Sequence, residues 1–114
     1  MTAPSGQAGR HDVLVIIEHA LLPVVPGTEE EFERSFAQAT PLIATQHGFR
    51  RLSLSRCVER PSHYLLLVEW DRVEDHVEGF RGSAEYEQWR ALLHHFYEPF
   101  PTVEHFVTVR DAAG

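Results

Sequence analysis

Apolar and polar positions along this chain switch between two periods. Val13 to Leu22 is an almost unbroken apolar run, β-branched at its start and stopped by Pro23 and Pro26. That composition predicts a strand buried on both faces. Beyond it, Phe32, Phe36, Ala39 and Ile43 recur at helical spacing, one apolar stripe on an amphipathic helix. Thr28-Glu29-Glu30-Glu31 opens that helix as a capping box, the Thr28 hydroxyl accepting from the Glu31 N–H while the Glu31 carboxylate reaches back. Three acids in the first turn suit the positive end of the helix dipole. Pro41 has no N–H for the Ala37 carbonyl, so it should kink the helix or end its regular part.

Gly48 ends the helical region, and two strands follow, Phe49 to Val58 and His63 to Trp70, joined by Glu59-Arg60-Pro61-Ser62. In the second strand Tyr64, Leu66, Val68 and Trp70 share one face, with Leu65 and Leu67 on the other. Both faces are apolar, whereas an antiparallel sheet with helices on one side only shows polar residues on the other. Something beyond this chain's own helices must cover that second face. A further helix start lies at Asp71 to Glu74, carrying Val73, Val77 and Phe80, with Gly79 and Gly82 bracketing a break. Ser83 then caps a helix with Tyr86, Trp89, Leu93 and Phe96 on one side, stopped by Pro99 and Pro101. Val103 to Val109 is the last strand. The order β-α-β-β-α-β, with an antiparallel sheet, is the α+β ferredoxin-like arrangement.

The chain has 114 residues, enough for one domain, read here as residues 12–110 between flexible tails at 1–11 and 111–114. Seventeen acids against ten Lys and Arg leave a net charge of −7, which argues against a nucleic-acid partner. No apolar run approaches the ~20 residues of a membrane span. The single cysteine, Cys57, allows no intrachain disulfide, and Met1 to Gly9 lacks the basic and apolar regions of a signal peptide. Together these point to the cytoplasm.

Catalytic signatures of the glycine-loop, zinc and nucleophile-elbow kinds are absent from the sequence. Cys57 sits in an expected strand, away from any helix N-terminus, and reads as a structural thiol. Eight histidines raise the question of a metal, but His94 and His95 point about 100° apart on a helix, and the rest follow no ligand spacing. We therefore expect no metal site. The stretch from Trp70 to Tyr97 interleaves aromatics with protonatable groups. Tyr86, Trp89, Leu93 and Phe96 have core spacing, while His76 and Arg90 could face solvent or a pocket, and Trp70 ends a strand where it could fill a core or line a cavity.

Three segments carry a resemblance: Tyr64-Leu65-Leu66-Leu67-Val68-Glu69-Trp70-Asp71, Glu78-Gly79-Phe80-Arg81-Gly82-Ser83 and Trp89-Arg90-Ala91-Leu92-Leu93-His94. Over about residues 12–109 the chain resembles the antibiotic biosynthesis monooxygenase domain family. The resemblance implies a ferredoxin-like unit that pairs with a second copy into a dimeric α/β barrel, which would bury the spare apolar face. Some members of the family oxygenate anthrones or quinols with O₂ and neither metal nor flavin, others degrade haem, and many have no assigned reaction.

The anthrone-oxidising members carry a Trp at the strand end, an Asn four residues before it, a Tyr about six after and an Arg about twenty after. Those places hold Trp70, Leu66, His76 and Arg90 here. The resemblance thus implies a cofactor-independent monooxygenase for a small phenolic, anthrone-like or quinol-like aromatic. His76 would be the base, Arg90 the oxyanion partner and Trp70 the flank of the substrate plane. Tyr86, Trp89, Phe80, His19 and Leu66 would contact the substrate. The haem-degrading members use an Asn on the first strand, which falls near Glu18 or His19, and a helix His, which falls on Trp89 or Arg90. Neither of the last two can ligate iron axially, so no haem is expected. Leu66, in the place of the amide, keeps open a non-catalytic dimer that binds a small ligand or serves a stress response. Haem degradation is the third alternative.

Overall fold

A computed structural model describes residues 14–114. The expected tail over 1–11 and the first residue of the expected opening strand, Val13, lie outside them. The elements are β1 (Ile16–Pro23), α1 (Glu29–Ala44), β2 (Phe49–Arg56), β3 (His63–Trp70), a π-helical turn (Asp75–Phe80), α2 (Ala84–Leu93), a 3-10 turn (His94–Phe96) and β4 (Val103–Val107). The strands lie in the order β2-β3-β1-β4, and every neighbouring pair is antiparallel. This is the ferredoxin-like α+β topology expected from the element order.

Register follows from the pleat, which sends alternate residues to opposite faces. Three rows that span all four strands face the helices: Leu54-Leu66-Ala20-Val103, Leu52-Val68-Glu18-His105 and Phe49-Trp70-Ile16-Val107. The stripe of α1 lies on this face, with Phe32, Phe36, Ala39 and Ile43 buried. Phe32 is the hub of an aromatic cluster, its ring 4.9 Å from Tyr64 and 5.5 Å from Phe96. Each such burial contributes roughly 1.5–3 kcal/mol.

Several local expectations change. The capping box does not form, because Thr28 adopts φ −112° and ψ 15° rather than an extended conformation. Its hydroxyl donates instead to the Val25 carbonyl at 2.6 Å, and Glu29 Oε1 accepts the Gly27 N–H at 3.0 Å. Helix α1 runs through Pro41 to Ala44. Just beyond it, the Thr45 hydroxyl donates to the Pro41 carbonyl at 3.2 Å and the Gln46 amide to that of Leu42 at 3.1 Å. These bonds satisfy carbonyls that a helix C-terminus leaves open. Strands β2 and β4 stop at Arg56 and Val107, earlier than the apolar pattern suggests. Cys57 therefore sits in the turn after β2, where its sulfur accepts the Arg60 N–H at 3.3 Å.

The opposite face of the sheet carries Ile17 and Leu21 of β1, Leu65 and Leu67 of β3, and Phe106 of β4. Leu21 and Phe106 remain 54% and 48% exposed there. The expectation that β1 is buried on both faces thus fails within one chain. No helix among the described residues is long and apolar enough to cross a membrane.

Two glycines test how tightly the turns are built. Gly27 and Gly48 have φ of +95° and +83°, a region that favours glycine. A Cβ on Gly27 would meet open space, whereas one on Gly48 would collide with the Asp75 carboxylate. Gly27→Ala should lose roughly 1–2 kcal/mol from the backbone alone, and Gly48→Ala about 1–3 kcal/mol more. Urea unfolding of both variants checks this, and equal losses would contradict the close approach of Asp75.

Candidate active site

A cavity of about 360 Å³ opens between the helix-covered face of the sheet and the segment from the π-helical turn to the end of α2. Its volume lies in the range of small-ligand sites. The sheet contributes Ala20, Leu22, Leu66 and Val103, and Phe80, Tyr86 and Trp89 stand opposite them. Tyr97, Phe100 and His94 line the cavity from the region after α2. Glu18, His76 and Arg81 supply its charged and protonatable end.

That polar end is built by two backbone devices. Glu18 belongs to the inward alternation of β1 with Ala20 and Leu22, and so is only 5% exposed. The π-helical turn carries a hydrogen bond from the Arg81 N–H to the His76 carbonyl at 3.1 Å. In an α-helix, residues five apart would point about 140° away from each other. The wider turn brings both His76 and Arg81 to the cavity, a use of π-helical geometry common at functional sites.

The indole N–H of Trp70 donates to Glu18 Oε1 at 2.9 Å. His76 Nε2 lies 3.4 Å from that same oxygen, and His76 Nδ1 lies 2.9 Å from His105 Nε2. The His76 ring stacks on Trp70 at 5.5 Å between centroids and 19° between planes. Burial pushes the Glu18 carboxyl up to about 7, against smaller opposing pulls from the Trp70 N–H and the Arg81 charge. That shift corresponds to roughly 3 kcal/mol against the carboxylate. Burial, helped by Arg81 and His105, pushes His76 down to about 3. His105 and His94 are lowered as well, chiefly by burial, and burial raises the Tyr97 hydroxyl. A carboxyl that titrates near neutrality beside a neutral imidazole can accept and release a proton at physiological pH.

The family model described as antibiotic biosynthesis monooxygenase matches residues 15–92, two thirds of the chain. The chain belongs to this family. It is 56% identical over 95 residues to the uncharacterized protein YczJ of Bacillus subtilis (strain 168), covering 83% of this chain and 100% of that one. A crystal structure of a candidate antibiotic biosynthesis monooxygenase from Bordetella bronchiseptica superposes with a TM-score of 0.81 at 37% identity, over 85% of this chain and 99% of that one. SnoaB from Streptomyces nogalater, a cofactor-independent oxygenase, shares the fold with a TM-score of 0.63 at 21% identity, over 89% and 96% of the two chains.

Within this monooxygenase-family fold, the residues singled out in the sequence fall into three groups. His76, Phe80, Tyr86, Trp89 and Leu66 line one cavity. Trp70 is fully buried behind the His76 ring, outside the lining, and reaches the site through its bond to Glu18. Arg90 and His19 are set apart. Arg90 follows Trp89 around α2 and faces outward, its guanidinium 3.3 Å from Glu87, so it lies outside the cavity. His19 takes the opposite pleat from Glu18 and packs against Phe106 on the open face. Arg81 provides the cavity's cation instead.

Glu18, Arg81, Tyr97 and His105 escaped the sequence reading as site residues. A signal existed for Glu18, since an acid in phase with Ala20 and Leu22 occupies the buried side of its strand. Arg81 stands in a segment that carries the resemblance, but helical periodicity does not describe a π-helical turn and so does not aim its side chain at the cavity. Among the described residues no group of three His, Cys, Asp or Glu side chains could hold a metal ion. Glu18, His76 and His105 form a row through opposite nitrogens of one ring, rather than converging on a point.

The two shifts have opposite consequences for stability. Glu18, raised from 4.5 to about 7, favours folding most below 4.5 and loses that contribution as pH climbs through 7. His76, lowered from 6.5 to about 3, favours folding above 6.5 and loses it as pH falls. Between 4.5 and 6.5 the two slopes oppose each other. Glu18→Gln should therefore make stability rise more steeply with pH across that interval, by up to about 1.4 kcal/mol per pH unit. Thermal unfolding across the interval measures this, and unchanged slopes would mean that Glu18 titrates as an ordinary carboxyl.

Proposed function

We propose that this protein is a monooxygenase that uses O₂ to oxidise a small electron-rich aromatic of the phenolic, quinol or anthrone type, without an added cofactor. The observation that carries this reading is the Glu18–His76 pair at one end of an otherwise aromatic and apolar cavity. SnoaB, a cofactor-independent oxygenase of the same fold, adds support. A flat ring fits between Leu66 and the aromatic wall, with its hydroxyl or enolisable position toward the acid–base pair.

Removing the substrate proton leaves an anion that gives an electron to O₂ far more readily than the neutral molecule does. Arg81 stabilises the oxyanion that forms. For an anthrone-like methylene, one oxygen atom becomes the carbonyl and the other leaves as water with the two hydrogens, the substrate supplying all the electrons. In this reading Arg81 takes the place that the sequence offered to Arg90, and Trp70 acts through Glu18.

Oxygen uptake with a panel of anthrones, quinols and phenols tests the reading. Turnover is expected with at least one of them, lowered about tenfold or more in Arg81→Ala and changed less than about twofold in Arg90→Ala, whose side chain is solvated. Tight ligand binding with no oxygen consumed would instead favour the small-ligand-binding alternative, for which the apolar Leu66 wall is the supporting observation.

We also propose that the functional unit is a homodimer, in the cytoplasm. The exposed Leu21 and Phe106, with Ile17, Leu65 and Leu67 around them, form the face a second copy would cover. Sedimentation should give twice the chain mass of 13.0 kDa. Leu21→Arg combined with Leu67→Arg should shift it to monomer, and a monomeric parent protein would exclude this assembly.

A further inference from the structure

The oxygenase reading leaves open which group first takes the substrate proton and how that proton leaves the polar end of the cavity. Both ring nitrogens of His76 already face protein partners, Nε2 toward Glu18 at 3.4 Å and Nδ1 toward His105 at 2.9 Å. Glu18 itself lines the cavity, and among the described residues its Oε2 accepts no hydrogen bond. His105 lies outside the cavity lining, half-buried on the edge strand β4, directly across from Glu18 in the register.

We propose that Glu18 is the proton acceptor facing the substrate, and that His76 and His105 relay the proton from it to the outer edge of the sheet. This rests on the oxygenase reading for its substrate, but the relay is a property of the resting protein. The proton balance is simple. Glu18 takes the proton at Oε2, turns its carboxyl to bring that oxygen to His76 Nε2, and gives the proton up as His76 gives its own Nδ1 proton to His105 Nε2. His76 ends neutral in its other tautomer, donating back to the Glu18 carboxylate, and His105 passes the proton to solvent. No charge is left on the buried imidazole, in keeping with the burial that holds it neutral.

The groups facing the relay support this direction. From β3 the Trp70 N–H fixes Glu18 Oε1. Arg81, after the π-helical turn, places positive charge near all three relay groups and favours departure of the proton. From beyond α2, Tyr97 keeps its hydroxyl proton and does not compete as a base. The 3.4 Å approach of Glu18 and His76 is longer than a formed hydrogen bond, as is common before a substrate tightens such a site.

Nitrogen-15 NMR of histidine-labelled protein tests the relay without any substrate. His76 is expected to change tautomer with the same midpoint as the Glu18 titration followed by carbon-13 NMR. The change should vanish in Glu18→Gln, which retains the acceptor for Trp70. A His76 that keeps one tautomer while Glu18 titrates would overturn the proposal. With a substrate in hand, His105→Ala should lower kcat about tenfold with little change in KM and regain activity on addition of imidazole. A His105→Ala enzyme as fast as its parent would also overturn it. Absence of turnover in the parent, with the coupled tautomer change present, would contradict the oxygenase reading and leave the relay standing.

Discussion

A carboxyl on the helix-covered face of the sheet is the constraint around which the rest of this structure is arranged. Glu18 sits in a row between Val68 and His105, flanked by the apolar rows of Ala20 and Ile16. Left alone there, a carboxylate would cost several kcal/mol in lost hydration. The protein meets that cost by keeping the group close to its neutral form and by giving one oxygen the Trp70 N–H. Trp70 in turn stacks on His76, so one buried indole orients both members of the acid–base pair. Losing Trp70 would remove a core side chain and the alignment of the site together.

Much of the fold was legible because its signals are periodic. The stripe Phe32, Phe36, Ala39, Ile43 and the alternation Tyr64, Leu66, Val68, Trp70 each have one geometric solution, and β3 begins and ends where its pattern does. Ser83 caps α2 as expected, accepting the Tyr86 N–H at 3.2 Å. What periodicity does not encode was lost. Thr28 has the right residues after it for a capping box, yet its backbone turns the hydroxyl toward Val25. The π-helical turn brings Arg81 to the cavity beside His76, whereas Arg90, the arginine that the family resemblance selects, faces Glu87.

The candidate site was legible in part, and the reason lies in which interactions are local. Phe80, Tyr86 and Trp89 reach the cavity because helices and the turns between them present aromatic side chains to the sheet in sequence order. The pairing of Glu18 with Trp70 spans 52 positions of sequence, and that of His76 with His105 spans 29. The strand register brings Glu18 to Trp70 and His105, packing of the π-helical turn on the sheet brings His76 to them, and a single sequence states neither. The same register sends His19 to the open face, one residue and one pleat away from the group that matters.

Apolar walls make the position of the few polar groups decisive. Leu66, Ala20, Leu22 and Val103 offer a ligand area but no direction, and the aromatic residues opposite them accept either face of a flat ring. Orientation therefore comes from the end that holds Glu18, His76 and Arg81. A neutral or cationic ligand gains little there, because the carboxyl is held near neutrality and Arg81 adds positive charge. A ligand that arrives with an acidic hydrogen and becomes an anion gains from both: the carboxyl can take its proton, and the arginine then faces the new charge. On the proposed oxygenase reading, the cavity thus discriminates by what its ligand can become.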